Sequence, residues 1–288
     1  MASVLVTGSS KGIGFETALA FARAGHSVFA GMRNPAQAPQ LAEAAASEKL
    51  PITILTMDVD SDESVCDAVA AVLSQGPLEV LVNNAGIERA GSVEELPLAE
   101  FRAVMETNYF GVLRCIQAVI PSMRRRQSGR IVNVSSVAGK ISNPPMTAYS
   151  ASKWALEALC EGAAAELKPF GIRVTLVEPG IIDTSMARRI GDVQARSDYP
   201  HLARFSAFFA TALQHPVPAS LVAQKILDVA TGDSWQLRHP VGPDSVPLLQ
   251  WRARMTDEQW IDLNAADTET WTRSLQREFG PHAQSASD

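Results

Sequence analysis

The stretch TGSSKGIG, residues 7–14, decides the fold of this chain. It follows the apolar run VLV at residues 4–6 and precedes a helical pattern over residues 12–24. Glycine permits a tight turn and a close approach of phosphate to the backbone, and the helix start beyond it offers unpaired N–H groups. A glycine loop between a first strand and a first helix therefore predicts a dinucleotide site. The alternative is a tight turn that binds no ligand.

Further strand and helix patterns alternate along the chain. The strand patterns are short and apolar throughout, which is typical of a parallel sheet buried on both faces. Five more lie at residues 27–30, 52–55, 80–82, 130–134 and 172–177. Further helices are predicted at residues 36–49, 61–75, 98–126 and 148–168. Asp60 is the expected N-cap of the second of these, with Glu63 at the capping-box position. The alternation predicts an α/β fold, a doubly wound, three-layer Rossmann domain over residues 1–280.

Residues 183–215 interrupt this alternation. They follow the sixth strand, and segments beyond the carboxyl ends of strands carry ligands in such folds. They contain Met186, Phe205, Phe208 and Phe209. We interpret the segment as a helical substrate lid, the alternative being a peripheral insertion whose phenylalanines only pack. A C-terminal helical extension follows, and residues 281–288 are expected to form a disordered tail.

Composition argues against several functional classes. The formal net charge of −6 provides no basic field for nucleic acid, and no apolar run is long enough for membrane insertion. The three cysteines form no CxxC motif and the histidines form no ligand-spaced cluster, so no metal is expected. A strand pattern near residue 3 leaves no room for a signal peptide, and a reducing, cytoplasmic location is predicted.

The end of the second strand indicates which dinucleotide binds. An NAD site usually has an acid there for the ribose hydroxyl, whereas Met32 and Arg33 stand at these positions. Arg33 and Lys11 supply two cations that suit a 2′-phosphate. This pattern favours NADP(H). The alternative is that both are ordinary solvated surface cations.

The stretch YSASK, residues 149–153, carries the expected chemistry. Tyr149 and Lys153 lie four positions apart and share one helix face. An ammonium nearby lowers the pKa of a phenol, which can then exchange a proton with a carbinol oxygen. Ser135 and Ser136 provide a hydroxyl that stabilises charge on that oxygen. Alternatively, the tyrosine is a half-buried helix residue, the lysine extends to solvent and the serine caps a turn.

Taken together, these motifs resemble those of the short-chain dehydrogenase/reductase superfamily. The matching elements, in the order typical of that family, are TGSSKGIG at 7–14, Asp58-Val59, NNAG at 83–86, Asn108 in NYFG, SSVAG at 135–139, YSASK at 149–153 and EPG at 178–180. The resemblance covers about residues 1–184. The longer C-terminal third is similar to the branch of hydroxysteroid and retinol dehydrogenases.

The resemblance implies a role for each motif. Tyr149 would be the general acid/base, and Lys153 would lower its pKa and bind the nicotinamide ribose. Ser136 would orient the substrate oxygen, and Asn108 would hold a water in a proton relay. The implied cofactor ligands are Gly8, Ser10, Lys11, Gly12, Ile13, Gly14, Arg33, Asp58, Val59, Asn84, Tyr149, Lys153, Pro179, Gly180, Ile182 and Thr184. Among them, Asp58 and Val59 would meet the adenine and Asn84 the adjacent ribose.

The expected function is that of an NADP-dependent oxidoreductase which reduces an apolar or bulky ketone. An apolar pocket wall is expected from Phe205, Phe208, Phe209, Met146 and Met186. The alternatives are a non-enzymatic NADP(H) sensor and an NAD-dependent alcohol dehydrogenase of the same fold. Epimerases of nucleotide sugars are disfavoured by the GxxxGxG spacing. The apolar helices at 98–126 and 148–168 predict a homodimer or homotetramer, since relatives commonly pair through them.

Overall fold

A computed structural model describes residues 1–192 and 196–280, and a parallel sheet lies at its centre. Its strands are β1 Ser3–Thr7, β2 Ser27–Met32, β3 Ile52–Thr56, β4 Val80–Asn83, β5 Gly129–Val134, β6 Ile172–Pro179 and β7 Arg238–Val241. They are arranged in the order β3-β2-β1-β4-β5-β6-β7, and every neighbouring pair is parallel. This order reverses direction between β1 and β4, as a doubly wound sheet requires. The predicted fold class is confirmed.

Helices cover both faces of the sheet. The helices that follow successive strands are α1 Gly12–Arg23, α2 Gln40–Glu48, α3 Asp62–Gln75, α4 Leu98–Met105, α5 Gly111–Arg126 and α6 Thr147–Leu167. Buried side chains of α3, α5 and α6 form one apolar core with one face of the sheet. Side chains of α1 and α2 form a second core on the opposite face. The inner strands are thus covered on both sides, which explains why their patterns are continuously apolar.

Local geometry differs from the sequence prediction in three places. The helix predicted over 98–126 is interrupted by a π-helical turn, Glu106–Phe110. The helix predicted from residue 36 begins at Gln40, because Pro39 precedes it and a separate 3₁₀ turn occupies Pro35–Gln37. The predicted cap of α3 was wrong. Ser61, not Asp60, accepts the N–H of Ser64.

The last third of the chain adds a seventh strand and more helices. The helices are α7 Ser185–Gly191, α8 His201–Ala212, α9 Ala219–Thr231, α10 Ser245–Ala253, α11 Asp257–Ala265 and α12 Thr268–Phe279. The helix α9 packs against α1 and completes the second core. β7 was not predicted, because its sequence RHPV has two polar residues and a proline, which only an edge strand tolerates.

The segment predicted as a lid contains the helices α7 and α8, and α8 is attached to the C-terminal helices. Arg204 of α8 is buried and donates to the backbone oxygen of Ala266, at the end of α11, over 2.8 Å. Its guanidinium lies 4.9 Å from the ring centre of Trp271 in α12. The predicted tail at 281–288 lies outside the described residues. Within the ranges described, no helix is long and apolar enough to span a bilayer.

Candidate active site

A large cavity lies at the carboxyl edge of the sheet. Its volume is about 920 Å³. Gly8, Asn84, Ser135 and Gly180 follow the ends of four neighbouring strands, and all four line the cavity. Because the carboxyl ends of parallel strands meet at one edge, residues far apart in sequence come together there.

The glycine loop forms one wall of this cavity. Gly8 and Gly12 have φ values of 69° and 60°, a region that glycine enters without steric cost. A Cβ atom at Gly14 would overlap the side-chain amide of Asn84 and the carbonyl oxygen of Gly8. The predicted loop ligands that line the cavity are Gly8, Ser10, Lys11, Gly12 and Ile13. Gly14 does not line it, and acts instead by allowing α1 to approach β1.

Asn84 holds the glycine loop in place. Its side-chain nitrogen donates to the carbonyl oxygens of Thr7 and Gly8, at 2.9 and 3.1 Å. Its backbone N–H donates to the hydroxyl of Thr7 over 3.0 Å. The side-chain N–H groups are therefore engaged within the protein, and contact with a ribose would use the amide oxygen.

The residues predicted for the adenosine end are brought together. Lys11, Arg33, Asp58 and Val59 all line the cavity. Lys11 and Arg33 are exposed at its rim, whereas Val59 is buried. This arrangement combines an apolar side for a base with two cations at the solvent edge, of which Arg33 interacts electrostatically with Asp60. A cradle of loop N–H groups, tight glycines and rim cations fits a phosphorylated dinucleotide.

Tyr149, Ser136 and Lys153 meet in the middle of the cavity wall. Tyr149 and Lys153 lie one turn apart on α6, as their spacing predicted, and the Lys153 ammonium is 5.6 Å from the Tyr149 ring centre. The Ser136 hydroxyl lies close enough to the Tyr149 hydroxyl to lower the pKa of that phenol. The Lys153 Nζ donates to the backbone oxygen of Val134 over 2.8 Å. The arrangement places a phenol, a hydroxyl and an ammonium around one point in the cavity.

Burial dominates the acidity of these groups. It raises the pKa of Tyr149 to about 12; the nearby Ser136 hydroxyl opposes this rise and the charge of Glu88 adds to it. Burial also lowers the pKa of Lys153 to about 8, against the opposing charge of Glu157. The spacing of the two residues predicted that the Lys153 ammonium would lower the pKa of the Tyr149 phenol. In the structure the partner that lowers it is Ser136, and burial outweighs that effect.

Asn108 lies in the π-helical turn and is completely buried. Its side-chain oxygen accepts the N–H of Ile87 over 2.9 Å. Its side-chain nitrogen donates to the Ile87 oxygen and to the Ser152 hydroxyl, each at 2.9 Å. The side chain thus joins the segment after β4 to α6 at Ser152, and it does not line the cavity.

The segment after β6 completes the polar half of the cavity. Its predicted ligands Pro179, Gly180, Ile182 and Thr184 all line the space. The N–H of Ile181 donates to a carboxyl oxygen of Asp244 over 2.7 Å. The sequence patterns gave Asp244 no role. Nothing in its local pattern shows that it folds back onto this segment.

Apolar and aromatic side chains line the far half of the cavity. The predicted wall residues Met146, Met186, Phe205, Phe208 and Phe209 are all present there. Three tryptophans from the C-terminal helices, Trp251, Trp260 and Trp271, were missed and also line it. Phe208 meets Trp271 edge-on with ring centres 5.9 Å apart. The three tryptophans lie in three separate helices, where each could have been predicted to be a buried residue. Only the tertiary fold brings them together at this cavity.

Comparison with known proteins identifies the family. A family model described as short chain dehydrogenase matches residues 2–195. The chain belongs to the short-chain dehydrogenase family. Among curated relatives, an uncharacterized oxidoreductase of Bacillus subtilis, YusZ, is 40% identical over 184 residues, which span 63% of this chain but only 65% of that protein. Human 17-beta-hydroxysteroid dehydrogenase type 1 is 34% identical over 266 residues, covering 86% of this chain and 80% of that one.

Solved structures agree with this short-chain dehydrogenase fold. A short-chain dehydrogenase from Streptomyces avermitilis superimposes with a TM-score of 0.77 at 33% identity, covering 96% of this chain and 98% of that one. A variant of actinorhodin polyketide ketoreductase with NADPH gives a TM-score of 0.75 at 30% identity, covering 84% and 96%. The resemblance stated from the motifs is confirmed at the level of the family, and this short-chain dehydrogenase is an oxidoreductase by that membership.

Proposed function

We propose that this chain is an NADP-dependent oxidoreductase that reduces the carbonyl group of an apolar or bulky ketone to a secondary alcohol. The observation that supports this most is the meeting of Tyr149, Ser136 and Lys153 at the middle of one cavity. On one side of them is the glycine loop, and on the other is the aromatic wall. A cofactor and a substrate bound in these two halves would face each other at the phenol.

The protein residues manage the proton. NADPH bound along the glycine loop would supply the hydride to the carbonyl carbon, yielding NADP⁺. Ser136 donates a hydrogen bond to the carbonyl oxygen and Tyr149 transfers its hydroxyl proton to that oxygen as it becomes an alkoxide. The Lys153 ammonium stabilises the phenolate that remains. A pKa of about 12 keeps Tyr149 protonated at neutral pH, as a proton donor in the reductive direction requires.

Asn108 would act through its backbone in this scheme. All of its side-chain hydrogen-bonding groups are engaged with Ile87 and Ser152. A π-helical turn disturbs the regular backbone hydrogen-bond ladder, and such turns often mark functional sites. A water that resupplies the proton by way of Lys153 would therefore be held by the Asn108 carbonyl oxygen, while the side chain fixes the turn.

The apolar half of the cavity supports a hydrophobic substrate. Phe205 and Phe209 of α8 lie with ring centres 4.9 Å apart, and they pack with Met146 and Ile190 around Tyr149. We infer that α7 and α8 act as the substrate lid of a single catalytic domain spanning residues 1–280. Attachment of α8 to the C-terminal helices through Arg204 makes those helices part of the substrate wall.

The cofactor half supports NADP(H) over NAD(H). Lys11 and Arg33 stand at the rim, and the two groups suit a doubly charged 2′-phosphate. At the end of β2, where NAD enzymes carry an acid, Met32 is 2% exposed and apolar. A structural neighbour of the same family carries NADPH.

The cofactor preference is tested by calorimetry on the purified protein. We expect NADPH to bind about tenfold more tightly than NADH or better, a difference of about 1.4 kcal/mol. Arg33→Ala should remove most of that preference while NADH affinity stays the same. Arg102→Ala, a cation on α4 outside the cavity, is the matched control. Equal binding of both cofactors by the unaltered protein would refute the NADP assignment, and binding of neither would refute the enzyme itself.

Self-association is a further expectation for this protein. Five apolar residues of the two helices predicted to pair face the core of the protein: Val112, Cys115, Val119, Leu156 and Leu167. Phe110 and Trp154 remain 43% and 49% exposed on the outer surface. We infer that they lie in a dimer or tetramer interface. Light scattering at micromolar concentration should give at least a dimer, and Trp154→Glu should shift it toward monomer. A monomeric mass for the unaltered protein would contradict this inference.

A further inference from the structure

A buried group of charged side chains lies one helical turn beyond Lys153. Glu157 follows Lys153 by four residues on α6, and Glu178 is the residue of β6 just before Pro179. Their exposures are only 3% and 2%. Arg238, at the start of β7, places its Nε 2.8 Å from Oε2 of Glu157 and 3.9 Å from Oε1 of Glu178. The proposed reaction gives none of these three residues a role.

The hydrogen bonding of this group is incomplete if both acids are ionised. Oε1 of Glu157 and Oε1 of Glu178 are buried and find no donor among the described residues. The two carboxyl groups nevertheless lie close together, since both face the Arg238 guanidinium and the charge of Glu157 raises the pKa of Glu178. Two carboxylates only accept hydrogen bonds, so neither can satisfy the other. One proton turns one of them into a donor and pairs both oxygens at once.

The surrounding charges indicate which acid holds the proton. Glu157 has the 2.8 Å contact with Arg238 and lies 3.9 Å from the Lys140 ammonium. Arg238 is also shared with Glu161, 2.7 Å away at the surface of α6. The Lys153 ammonium, one turn earlier on the same helix, also attracts the Glu157 carboxylate. Among the described residues, the only ion-pair contact of Glu178 is the longer one, 3.9 Å from Arg238, so Glu157 is the better-stabilised anion.

The acidity of Glu178 agrees with this arrangement. Burial raises its pKa to about 7, and the neighbouring charge of Glu157 adds to the rise, while Arg238 and Lys140 oppose it. Since the pKa in the unfolded chain is 4.5, the folded protein binds one more proton than the unfolded chain between these values. Stability from this group therefore falls as pH increases from 4.5 to about 7.

We propose that Glu157 and Glu178 form a carboxyl pair that shares one proton, with Glu157 charged and Glu178 neutral. In the second half of the proposal, this pair positions the catalytic helix α6 against the segment that follows β6. The second half of this proposal rests on the proposed function, because that segment would hold the nicotinamide. Pro179, the last residue of β6, and Gly180 follow Glu178 directly in the chain. The Glu178 carbonyl oxygen accepts a hydrogen bond from the Ser245 hydroxyl over 3.0 Å. Both residues are positioning residues, since neither lines the cavity.

The shared proton is tested by thermal unfolding as a function of pH, which needs no substrate. Glu178→Gln imitates the protonated acid and cannot ionise. At about pH 5 this variant and the unaltered protein should melt within about 1 °C of each other, and at about pH 7.5 the variant should melt on the order of 5 °C higher. Glu161→Gln is the matched control, and should follow the pH dependence of the unaltered protein. Parallel curves for Glu178→Gln and the unaltered protein would overturn the shared proton.

The positioning role is tested by NADPH binding, followed by its fluorescence at about pH 6. Glu178→Ala should weaken NADPH binding by about fivefold or more, and Glu178→Gln should restore it to within about twofold of the unaltered protein. If Glu178→Ala and Glu178→Gln weaken NADPH binding equally, Glu178 does not act as a neutral hydrogen-bond donor. If Glu178→Ala does not weaken NADPH binding, the positioning role is overturned. If the unaltered protein binds no NADPH, the proposed function and the positioning role fail together, and the melting curves still decide the carboxyl pair.

Discussion

Replacing Tyr149 by phenylalanine is expected to lower kcat for ketone reduction by about 10³-fold, within the range that general acid catalysis provides. The substitution removes the proton donor and little else. The ring stays beside the Lys153 ammonium, which is itself anchored on the Val134 carbonyl. Steady-state oxidation of NADPH with an apolar ketone measures the loss, and NADPH affinity should remain within about twofold.

Loss of turnover together with retained NADPH affinity distinguishes an enzyme from an NADP(H) sensor. A sensor would keep its function in the variant, whereas an enzyme would bind the cofactor and stop turning over. Tyr109→Phe is the matched control, because Tyr109 packs edge-on against Phe110 outside the cavity. A Tyr149→Phe variant that keeps most of its turnover would contradict the assigned role of the phenol.

The parts of the site that were predictable depend on local spacing. Tyr149 and Lys153 share a helix face because four residues make about one turn, whatever the rest of the fold does. The glycine loop was predictable because Gly8 and Gly12 mark a turn between a strand and a helix. The carboxyl ends of six predicted strands then had to meet at one edge, since parallel strands always place them there.

Contacts between distant segments were not predictable from local patterns. Asp244 reaches the N–H of Ile181 across 63 residues of sequence, and Arg204 reaches Ala266 across 62. The raised pKa of Tyr149 was also not predicted. Its spacing from Lys153 indicated a lowered pKa, but the extent of burial is a property of the whole fold, and burial raises it.

The substrate lid remains a prediction, and the structure adds a contact that the sequence pattern did not predict. The phenylalanines of residues 205–209 indicated an apolar surface but not its partner. The partner is the group of C-terminal tryptophans, through contacts such as that between Phe208 and Trp271. Two segments whose patterns each suit an ordinary packed helix thus form one wall of the cavity. A single amphipathic pattern cannot reveal such a pairing.

Replacing Gly14 by alanine is expected to have the second large effect. A methyl group there would overlap the Asn84 amide and the Gly8 carbonyl oxygen. Neither can yield cheaply, since Gly8 is backbone and the amide nitrogen is held by two carbonyl oxygens. We expect a loss of about 3 kcal/mol in the free energy of unfolding. NADPH affinity should fall about 100-fold, or about 2.7 kcal/mol.

The control for Gly14→Ala is Gly162→Ala in the middle of α6. Apart from the nearby backbone of α6 itself, no atom of the described residues lies within 4 Å of the position its Cβ would take, so alanine should stabilise that helix by up to about 1 kcal/mol. If Gly14→Ala does not fold, Gly12→Ala provides a milder test. Gly12 has a φ of 60° and its nearest neighbour would be a Thr184 methyl at 3.5 Å, so alanine costs about 1–2 kcal/mol of backbone strain. Unchanged NADPH affinity in a folded Gly14→Ala variant would mean that the close approach of α1 to β1 does not shape the cofactor site.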